Sequence, residues 1–261
     1  MPKFSANLSM LFTERTFLDR FEAAAQAGFR GVEYVGPYDF PAAEIAARLQ
    51  ANGLTQALFN LPPGDWTKGE RGLACLPSRI AEFRVGVDKA IDYAHALGCQ
   101  TVNCLAGIPT PGVSAEETWR TLIENLRYAA RRLEHAGVSL VVEPINPFDM
   151  PGFLLNRGAS ALRAIDEADA ADLKPQHDVH HCNWWRENFA LTMERHLEWI
   201  GHIQIAGAPE RHEPDVGGIN DRFLIDCLEE LGYVGWIGAE YRPKDRTEDG
   251  LGWLHAYGLR A

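Results

Sequence analysis

Four oxygen-bearing side chains stand on candidate strands in the second half of the chain. Glu143 ends the apolar run of residues 139–142, and a proline follows it and stops the strand. Asp178 and Glu240 end two later runs, and Gln204 lies in the run between them; the four are separated by 35, 26 and 36 residues. A buried carboxylate needs a metal, another cation or a proton to move, because an unpaired buried charge is too costly to keep. The spacing predicts that four consecutive strands aim these groups at one site.

The predicted site is made of oxygen ligands. Three carboxylates and one amide oxygen favour Mg²⁺ or Mn²⁺ over Zn²⁺. Without a cation, three converging carboxylates would repel one another and raise their pKa values. For any one acid alone, an ion pair with a nearby lysine or arginine would be a sufficient explanation. The recurrence on four successive strands favours the shared divalent cation.

The rest of the chain has the regular alternation of strands and helices that such a site requires. Short apolar runs alternate with longer stretches of helical period, which implies a parallel sheet with right-handed crossovers. Eight strand–helix units in 261 residues, the last with a helix over 248–257, fit an α/β fold of the (β/α)₈ TIM-barrel type. A doubly wound open sheet is the alternative, but the Gly-x-Gly-x-x-Gly turn expected after its first strand is missing. We expect one domain over residues 1–261, with its active site at the carboxyl ends of the strands.

The sixth strand is the least regular of the eight. Residues 173–178 contain Pro175, and an internal proline normally argues against a strand. Their position in the alternation of strands and helices nevertheless favours a strand. The chain is expected to stay extended beyond this point. Since neighbouring side chains of an extended chain point to opposite faces, His177, His180 and His181 should not converge on one metal ion.

The charge and cysteine content of the chain indicate which kinds of binding partner to expect. The formal net charge is −11, which makes the chain a poor binder of nucleic acids and membrane surfaces. The cysteine count of five is odd and no Cys-x-x-Cys pair occurs, so reduced thiols in the cytoplasm are expected. No signal peptide or membrane-spanning run is recognisable. We expect a soluble cytoplasmic protein whose partner is a small molecule, with no nucleic acid and no membrane.

Several segments resemble the hydroxypyruvate isomerase family. The pair Asp178-x-x-His181 is among them, and the resemblance covers nearly the whole chain. It places the chain among xylose-isomerase-like barrels, a group that also holds ketose 3-epimerases and endonuclease IV-type DNA repair enzymes. The other segments are residues 4–12, 60–66, 69–72, 143–146, 151–153, 200–206 and 238–241.

The resemblance implies a reaction and its residues. Glu143, Asp178, Gln204 and Glu240 correspond to the metal ligands of the family, and Glu143 and Glu240 to its acid/base pair. The implied reaction converts hydroxypyruvate to tartronate semialdehyde through an enediolate, with one glutamate removing a proton and the other delivering one. Which glutamate acts as base stays open at this point.

The substrate's own carboxylate calls for a cation. Arg71, in the long loop of residues 61–78, and Arg211, in the loop after the seventh strand, are the candidates, since arginine binds carboxylates bidentately. For each, an ordinary surface arginine is the alternative. His181 is interpreted as a hydrogen-bonding group for the substrate or for a ligand.

The chain departs from the family near the expected site. Phe59 stands where the family often has histidine, and Gly207 and Gly218 stand where relatives commonly have Asp and Glu. The four metal ligands are unaffected by these changes.

Three rival activities stay open. A 2-oxo-tetronate isomerase would act on one more carbon, and a ketose 3-epimerase would take a neutral sugar and need no carboxylate clamp. A DNA repair endonuclease would need a histidine-rich multi-zinc site and a basic groove. The chain length of the substrate, the physiological metal and any homo-oligomer are not readable from the sequence.

Overall fold

The eight strands form a closed barrel in sequence order. The computed structural model describes residues 2–257. β1 pairs in parallel with β2 and also with β8, which closes the sheet and confirms the predicted (β/α)₈ fold class. The strands are β1 (Lys3–Asn7), β2 (Gly31–Tyr34), β3 (Thr55–Asn60), β4 (Thr101–Cys104), β5 (Ser139–Val142), β6 (Leu173–Asp178), β7 (His202–Ile205) and β8 (Trp236–Ala239).

The helices begin and end at the signals expected from the sequence. The Ser114 hydroxyl accepts a bond from the Glu117 amide at 3.1 Å where α4 begins, and Gly98, with φ of 65°, ends α3. The predicted last helix is present, but as a 3₁₀ helix over Thr247–Tyr257. The α-helices are α1 (Arg20–Gln26), α2 (Ala42–Asn52), α3 (Ile80–Leu97), α4 (Ala115–His135), α5 (Gly158–Ala168), α6 (Val179–Trp184), α7 (Phe189–His196) and α8 (Asp221–Glu230).

The described residues divide into two compact units, one of residues Leu58–Gln176 and the other of residues 2–57 and 177–257. In the Leu58–Gln176 unit, β4 and β5 pair in parallel with Val102 opposite Leu140, and α4 packs on β5. Both side chains are fully buried, as a strand covered on both faces requires. Burial of each such side chain contributes about 1.5–3 kcal/mol.

The other unit contains β1, β2, β7 and β8, and its strands carry two kinds of buried side chain. Along β1, Phe4 and Ala6 alternate with Ser5 and Asn7, and all four are buried. Glu33 of β2 accepts hydrogen bonds from Ser5 and Asn7 of the neighbouring strand β1. It also accepts bonds from His202 and Gln204 of β7, which does not pair with β2. Bonds of this kind cross the barrel interior, so the polar side chains face inwards and the apolar ones face the helices.

The turn after β6 corrects the expectation of an extended chain. β6 itself is confirmed, with Pro175 opposite Val142 of β5. The extended chain ends at Asp178, whose Oδ1 accepts a bond from the His180 amide at 2.7 Å and caps α6. A carboxylate at this place satisfies a main-chain donor that the first helical turn leaves without a partner, and so favours the helix.

The helices of residues 2–257 all fall short of the combined length and hydropathy that crossing a membrane requires.

Candidate active site

Two buried carboxylates, at the carboxyl ends of β6 and β8, share one guanidinium. Arg211 Nη2 donates to Asp178 Oδ2 at 2.9 Å and to Glu240 Oε2 at 2.7 Å, and its Nε donates to the Glu240 main-chain oxygen at 3.2 Å. All three residues are less than a tenth exposed. Because both acids bond to the same nitrogen, their oxygens point to a common cation position.

Asp178 is held at both of its oxygens. Oδ1 caps α6, while Oδ2 bonds to Arg211 and lies 3.5 Å from the Nε2 of the buried His181. Burial raises the pKa of Asp178, but the charges of His181 and Arg211 and the His180 amide bond outweigh it. The pKa of Asp178 therefore lies below its ordinary value, and the group is a carboxylate at neutral pH.

The loop after β7 supplies Arg211. The main-chain oxygen of Arg211 accepts a bond from the Arg242 amide at 2.7 Å, and its φ of 59° lies in the left-handed region. That conformation costs a non-glycine residue about 1–2 kcal/mol, so the loop holds Arg211 against a local preference. Gly207 leaves no room for a Cβ, which would collide with the main-chain oxygens of Glu213 and Val216.

Gln204 lies in β7 and faces a buried acid of β2. Its Nε2 donates to Glu33 Oε1 at 2.7 Å. Glu33 also accepts bonds from the Ser5 hydroxyl at 2.8 Å, from His202 Nε2 at 2.9 Å and from Asn7 Nδ2 at 3.3 Å. Burial raises the pKa of Glu33, but the charge of His202 and the bonds from His202, Gln204 and Ser5 outweigh it. Its pKa therefore lies below the ordinary value.

The remaining predicted residues, Glu143 and Arg71, lie in the Leu58–Gln176 unit. Glu143 directly follows β5 and is buried. Arg71 stacks on Trp66, with its guanidinium carbon 3.9 Å from the ring centroid. Its Nη1 donates to the main-chain oxygens of Trp66 at 3.1 Å and Glu70 at 2.8 Å. Arg71 is therefore anchored by its own loop, whereas Arg211 is anchored by acids.

The comparisons with known proteins cover nearly the whole chain. The profile of the family described as Xylose isomerase-like TIM barrel matches residues 21–257. The chain is 50% identical to a 2-oxo-tetronate isomerase of Cupriavidus necator, covering 98% of this chain and 99% of that one. It is 49% identical to a hydroxypyruvate isomerase of Escherichia coli K12, covering 98% and 100%. A solved structure from Brucella melitensis, described as an AP endonuclease of family 2, is 44% identical with a TM-score of 0.94, covering 98% and 99%.

The chain belongs to the xylose isomerase-like TIM barrel family. The curated relatives named here are isomerases, and they confirm both the predicted resemblance and an isomerase of the aldose–ketose type.

The donors of this xylose isomerase-like barrel protein fit a divalent cation. Asp178 and Glu240 are buried, converge on one positive group and offer hard oxygen atoms, as Mg²⁺ and Mn²⁺ prefer. Another group of potential ligands, His177, Cys182 and Glu187, lies nearby in sequence with its atoms within 4.8 Å of one another. A thiol–imidazole contact of 3.3 Å between Cys182 and His177 already accounts for that pair.

Glu33 and Asp221 are among the buried acids that sequence reasoning missed. Glu33 sits inside the short strand Gly31–Tyr34, and a charge within an apolar run is the same signal that pointed to Glu143. Asp221 opens α8 and is 2% exposed; burial and the charges of Asp178 and Asp215 raise its pKa to about 8. A charged first turn usually indicates a solvated helix end, so nothing in the sequence distinguishes Asp221.

Proposed function

We propose that this protein interconverts hydroxypyruvate and tartronate semialdehyde (2-hydroxy-3-oxopropanoate) with a bound divalent cation. The observation that carries the proposal is the convergence of Asp178 and Glu240 on one buried cation position. The relative of Escherichia coli that is 49% identical over nearly its whole length bears the name of this activity.

The proposed ligand set is Glu143, Asp178, Gln204 and Glu240, with Mg²⁺ or Mn²⁺ as the metal. These residues belong to or directly follow the consecutive strands β5 to β8. Active sites of (β/α)₈ barrels lie at the carboxyl ends of the strands, which supports a common site for all four. The set contains only oxygen donors, and its three carboxylates require a positive partner.

The glutamates of this set also serve the proposed proton transfer. A bound divalent cation would polarise the substrate carbonyl and so acidify the neighbouring C–H bond. One of Glu143 and Glu240 removes a proton from the hydroxymethyl carbon, and the other delivers a proton to the former carbonyl carbon. The hydroxyl proton moves to the oxygen of that former carbonyl, so the product is an isomer and no atom is gained or lost. The ion pair with Arg211 holds the Glu240 carboxylate in place beforehand.

Arg211, Arg71 and His181 are the proposed contacts for the rest of the substrate. Arg211 supplies a buried positive charge beside Asp178 and Glu240, which suits the carboxylate of a small hydroxy-oxo acid. Arg71 uses only Nη1 for its two main-chain bonds, which leaves Nη2 and Nε as further donors. His181 is buried with its Nε2 on the Asp178 side and can hydrogen-bond a substrate oxygen.

A substrate panel with metal-stripped enzyme tests the proposal. The protein is treated with EDTA, dialysed, and assayed with added Mg²⁺ or Mn²⁺ on hydroxypyruvate, 2-oxo-tetronates, D-fructose and D-tagatose. We expect turnover of hydroxypyruvate that requires the metal. Absence of turnover of that substrate with either metal would contradict the proposal.

A 2-oxo-tetronate isomerase is the second candidate function. It is favoured by the relative of Cupriavidus necator, which is 50% identical and carries that name. The ratio of kcat/KM values for the four-carbon and three-carbon acids in the same panel decides between the two. A ratio above about 10 in favour of the four-carbon acid, equivalent to about 1.4 kcal/mol, would assign this activity instead.

Action on DNA is tested alongside. The Brucella melitensis structure is described as an AP endonuclease, but a net charge of −11 opposes binding to a phosphate backbone. We expect no cleavage of a duplex containing an abasic site under the conditions that support hydroxypyruvate turnover.

A further inference from the structure

We propose that Glu33 is a positioning residue that fixes which end of the Gln204 amide faces the metal. By holding the Gln204 nitrogen, Glu33 presents the carbonyl oxygen to the cation. This inference rests on the metal site proposed above, in which Gln204 is a ligand.

The Glu33 carboxylate is saturated with donors on both of its oxygens. Oε1 accepts from Gln204 at 2.7 Å and from Asn7 at 3.3 Å, while Oε2 accepts from Ser5 at 2.8 Å and from His202 at 2.9 Å. Glu33 is 0% exposed, and each donor is buried to 2% exposure or less. A carboxylate in this setting only accepts hydrogen bonds.

The acceptor-only character of Glu33 removes an ambiguity of the Gln204 side chain. The two ends of an amide have nearly the same size and shape, so packing alone selects between them poorly. Turning the Gln204 oxygen towards Glu33 would lose a charge-assisted bond and bring two acceptors together. Nε2 is therefore fixed on Glu33, and Oε1 occupies the other branch of the amide.

Strand β8, which pairs with both β1 and β7, leaves room for the Glu33 side chain at Gly238. Gly238 of β8 lies opposite Gln204 of β7 and opposite Ser5 of β1 in the strand register. A Cβ on Gly238 would lie 2.5 Å from each Glu33 oxygen. Only glycine leaves this space, so β8 accommodates the acid that β1 and β7 bind.

The competing explanation for the buried Glu33 is that it only forms a structural ion pair with His202 and has no effect on the metal site. An exchange of the two side chains separates the explanations. In the variant Glu33→Gln/Gln204→Glu, the pair keeps one carboxylate, one amide and the same net charge. The carboxylate at position 204 has two equivalent oxygens, so its orientation no longer matters to a metal. The amide at position 33 can donate to it while still accepting from Ser5.

The readout is Mn²⁺ affinity of metal-free protein by titration calorimetry, with thermal unfolding of each variant in parallel. We expect Glu33→Gln alone to bind Mn²⁺ about 10-fold to 100-fold more weakly than the wild type, as is usual for partners that orient a metal ligand. The exchanged pair should bind Mn²⁺ at least as tightly as the wild type, because a charged ligand that needs no orientation has replaced the amide.

Asn125→Ala serves as the control for general loss of stability. It removes a buried hydrogen bond of 2.9 Å to the main-chain oxygen of Ala74, outside the Glu33 cluster. We expect a lower unfolding temperature with Mn²⁺ affinity unchanged.

The outcomes distinguish this inference from the proposed function. A wild type without Mn²⁺ binding would overturn both. A wild type that binds Mn²⁺, with Glu33→Gln binding equally well, would overturn the inference alone. If Glu33→Gln does not fold, the exchanged pair decides: folded protein with Mn²⁺ affinity supports the role, and folded protein without it overturns the role.

If neither variant folds, a crystal structure of the Mn²⁺-loaded wild type decides. Gln204 bound to the metal through Oε1, with Nε2 on Glu33, would support the role. Any other arrangement of this amide would overturn it.

Discussion

The Asp178–Arg211–Glu240 cluster and the Glu33 cluster solve the problem of a buried carboxylate in different ways. Glu33 is surrounded by donors that stand on strands, and each donor belongs to the barrel itself. Asp178 and Glu240 depend on one guanidinium that enters from a loop, with its backbone in the left-handed region. The first arrangement is part of the fold, whereas the second has a partner that can be exchanged without rebuilding a strand. A site that must admit a metal and a substrate needs the second kind.

The largest expected effect comes from the acid that has the exchangeable partner. Glu240→Gln keeps the shape of the side chain but removes the base or acid, so kcat should fall by about 10²–10⁴. The fold should survive, because the barrel cluster around Glu33 is untouched. Turnover and circular dichroism are measured together, with the exposed Glu116→Gln as the control. Wild-type kcat in Glu240→Gln would remove Glu240 from the chemistry.

The second prediction contrasts the two clusters in stability. Arg211→Ala leaves two buried acids without their guanidinium and should lower the free energy of unfolding of metal-free protein by about 3 kcal/mol. Saturation with Mn²⁺ should shrink this difference from the wild type, because the cation replaces the lost charge. Glu33→Ala should lower the free energy of unfolding by a similar amount, but Mn²⁺ should not reduce that loss.

Denaturant unfolding with and without Mn²⁺ measures these differences. Arg132→Ala is the control, since it breaks an ion pair with Asp88 in which both side chains are about half exposed. It should cost less than about 1 kcal/mol. If Mn²⁺ reduced the loss of unfolding free energy equally in Arg211→Ala and Glu33→Ala, the proposed difference between the two clusters would be wrong.

The two clusters also differ in how far the sequence predicts them. Asp178 and Glu240 end candidate strands that lie about two strand–helix units apart, with Gln204 on the strand between them, and that pattern is readable without coordinates. The donors to Glu33 come from positions as distant as Gln204, 171 residues away along the chain. No local pattern connects such residues, and the connection appears only when the barrel closes. The cap that Asp178 gives to α6 is local, two residues from its donor, and it was missed for another reason: the chain after β6 was expected to stay extended.

Asp221 offers a third solution, in which the buried carboxyl keeps its proton. Its pKa of about 8 in the folded protein lies above its ordinary value of 3.8, so the folded state binds the extra proton between these pH values. Stability from this group therefore falls as pH rises through that window. Asp221→Asn stays neutral, so relative to the wild type it should gain about 5 kcal/mol of stability between pH 4 and pH 8, at about 1.4 kcal/mol per pKa unit.

The advantage of Asp221→Asn should shrink towards pH 4. Unfolding free energies measured at pH 4, 6, 8 and 9 in metal-free protein test this, with Asp19→Asn, an exposed acid, as the control. A difference that does not change with pH would show that Asp221 is ionised throughout.

The smallest effect is expected at Arg71, whose anchors are neutral. Main-chain oxygens and the Trp66 ring hold its guanidinium, so no buried acid loses a partner in Arg71→Ala and the fold should be unaffected. If Arg71 contacts the substrate carboxylate equally in the ground and transition states, KM should rise about tenfold while kcat is retained. Steady-state kinetics on hydroxypyruvate give both constants, with the exposed Arg84→Ala as the control. Unchanged KM would make Arg71 an ordinary surface arginine and leave Arg211 as the proposed contact for the substrate carboxylate. The same arginine would then stabilise the acids before the substrate arrives and bind its carboxylate afterwards.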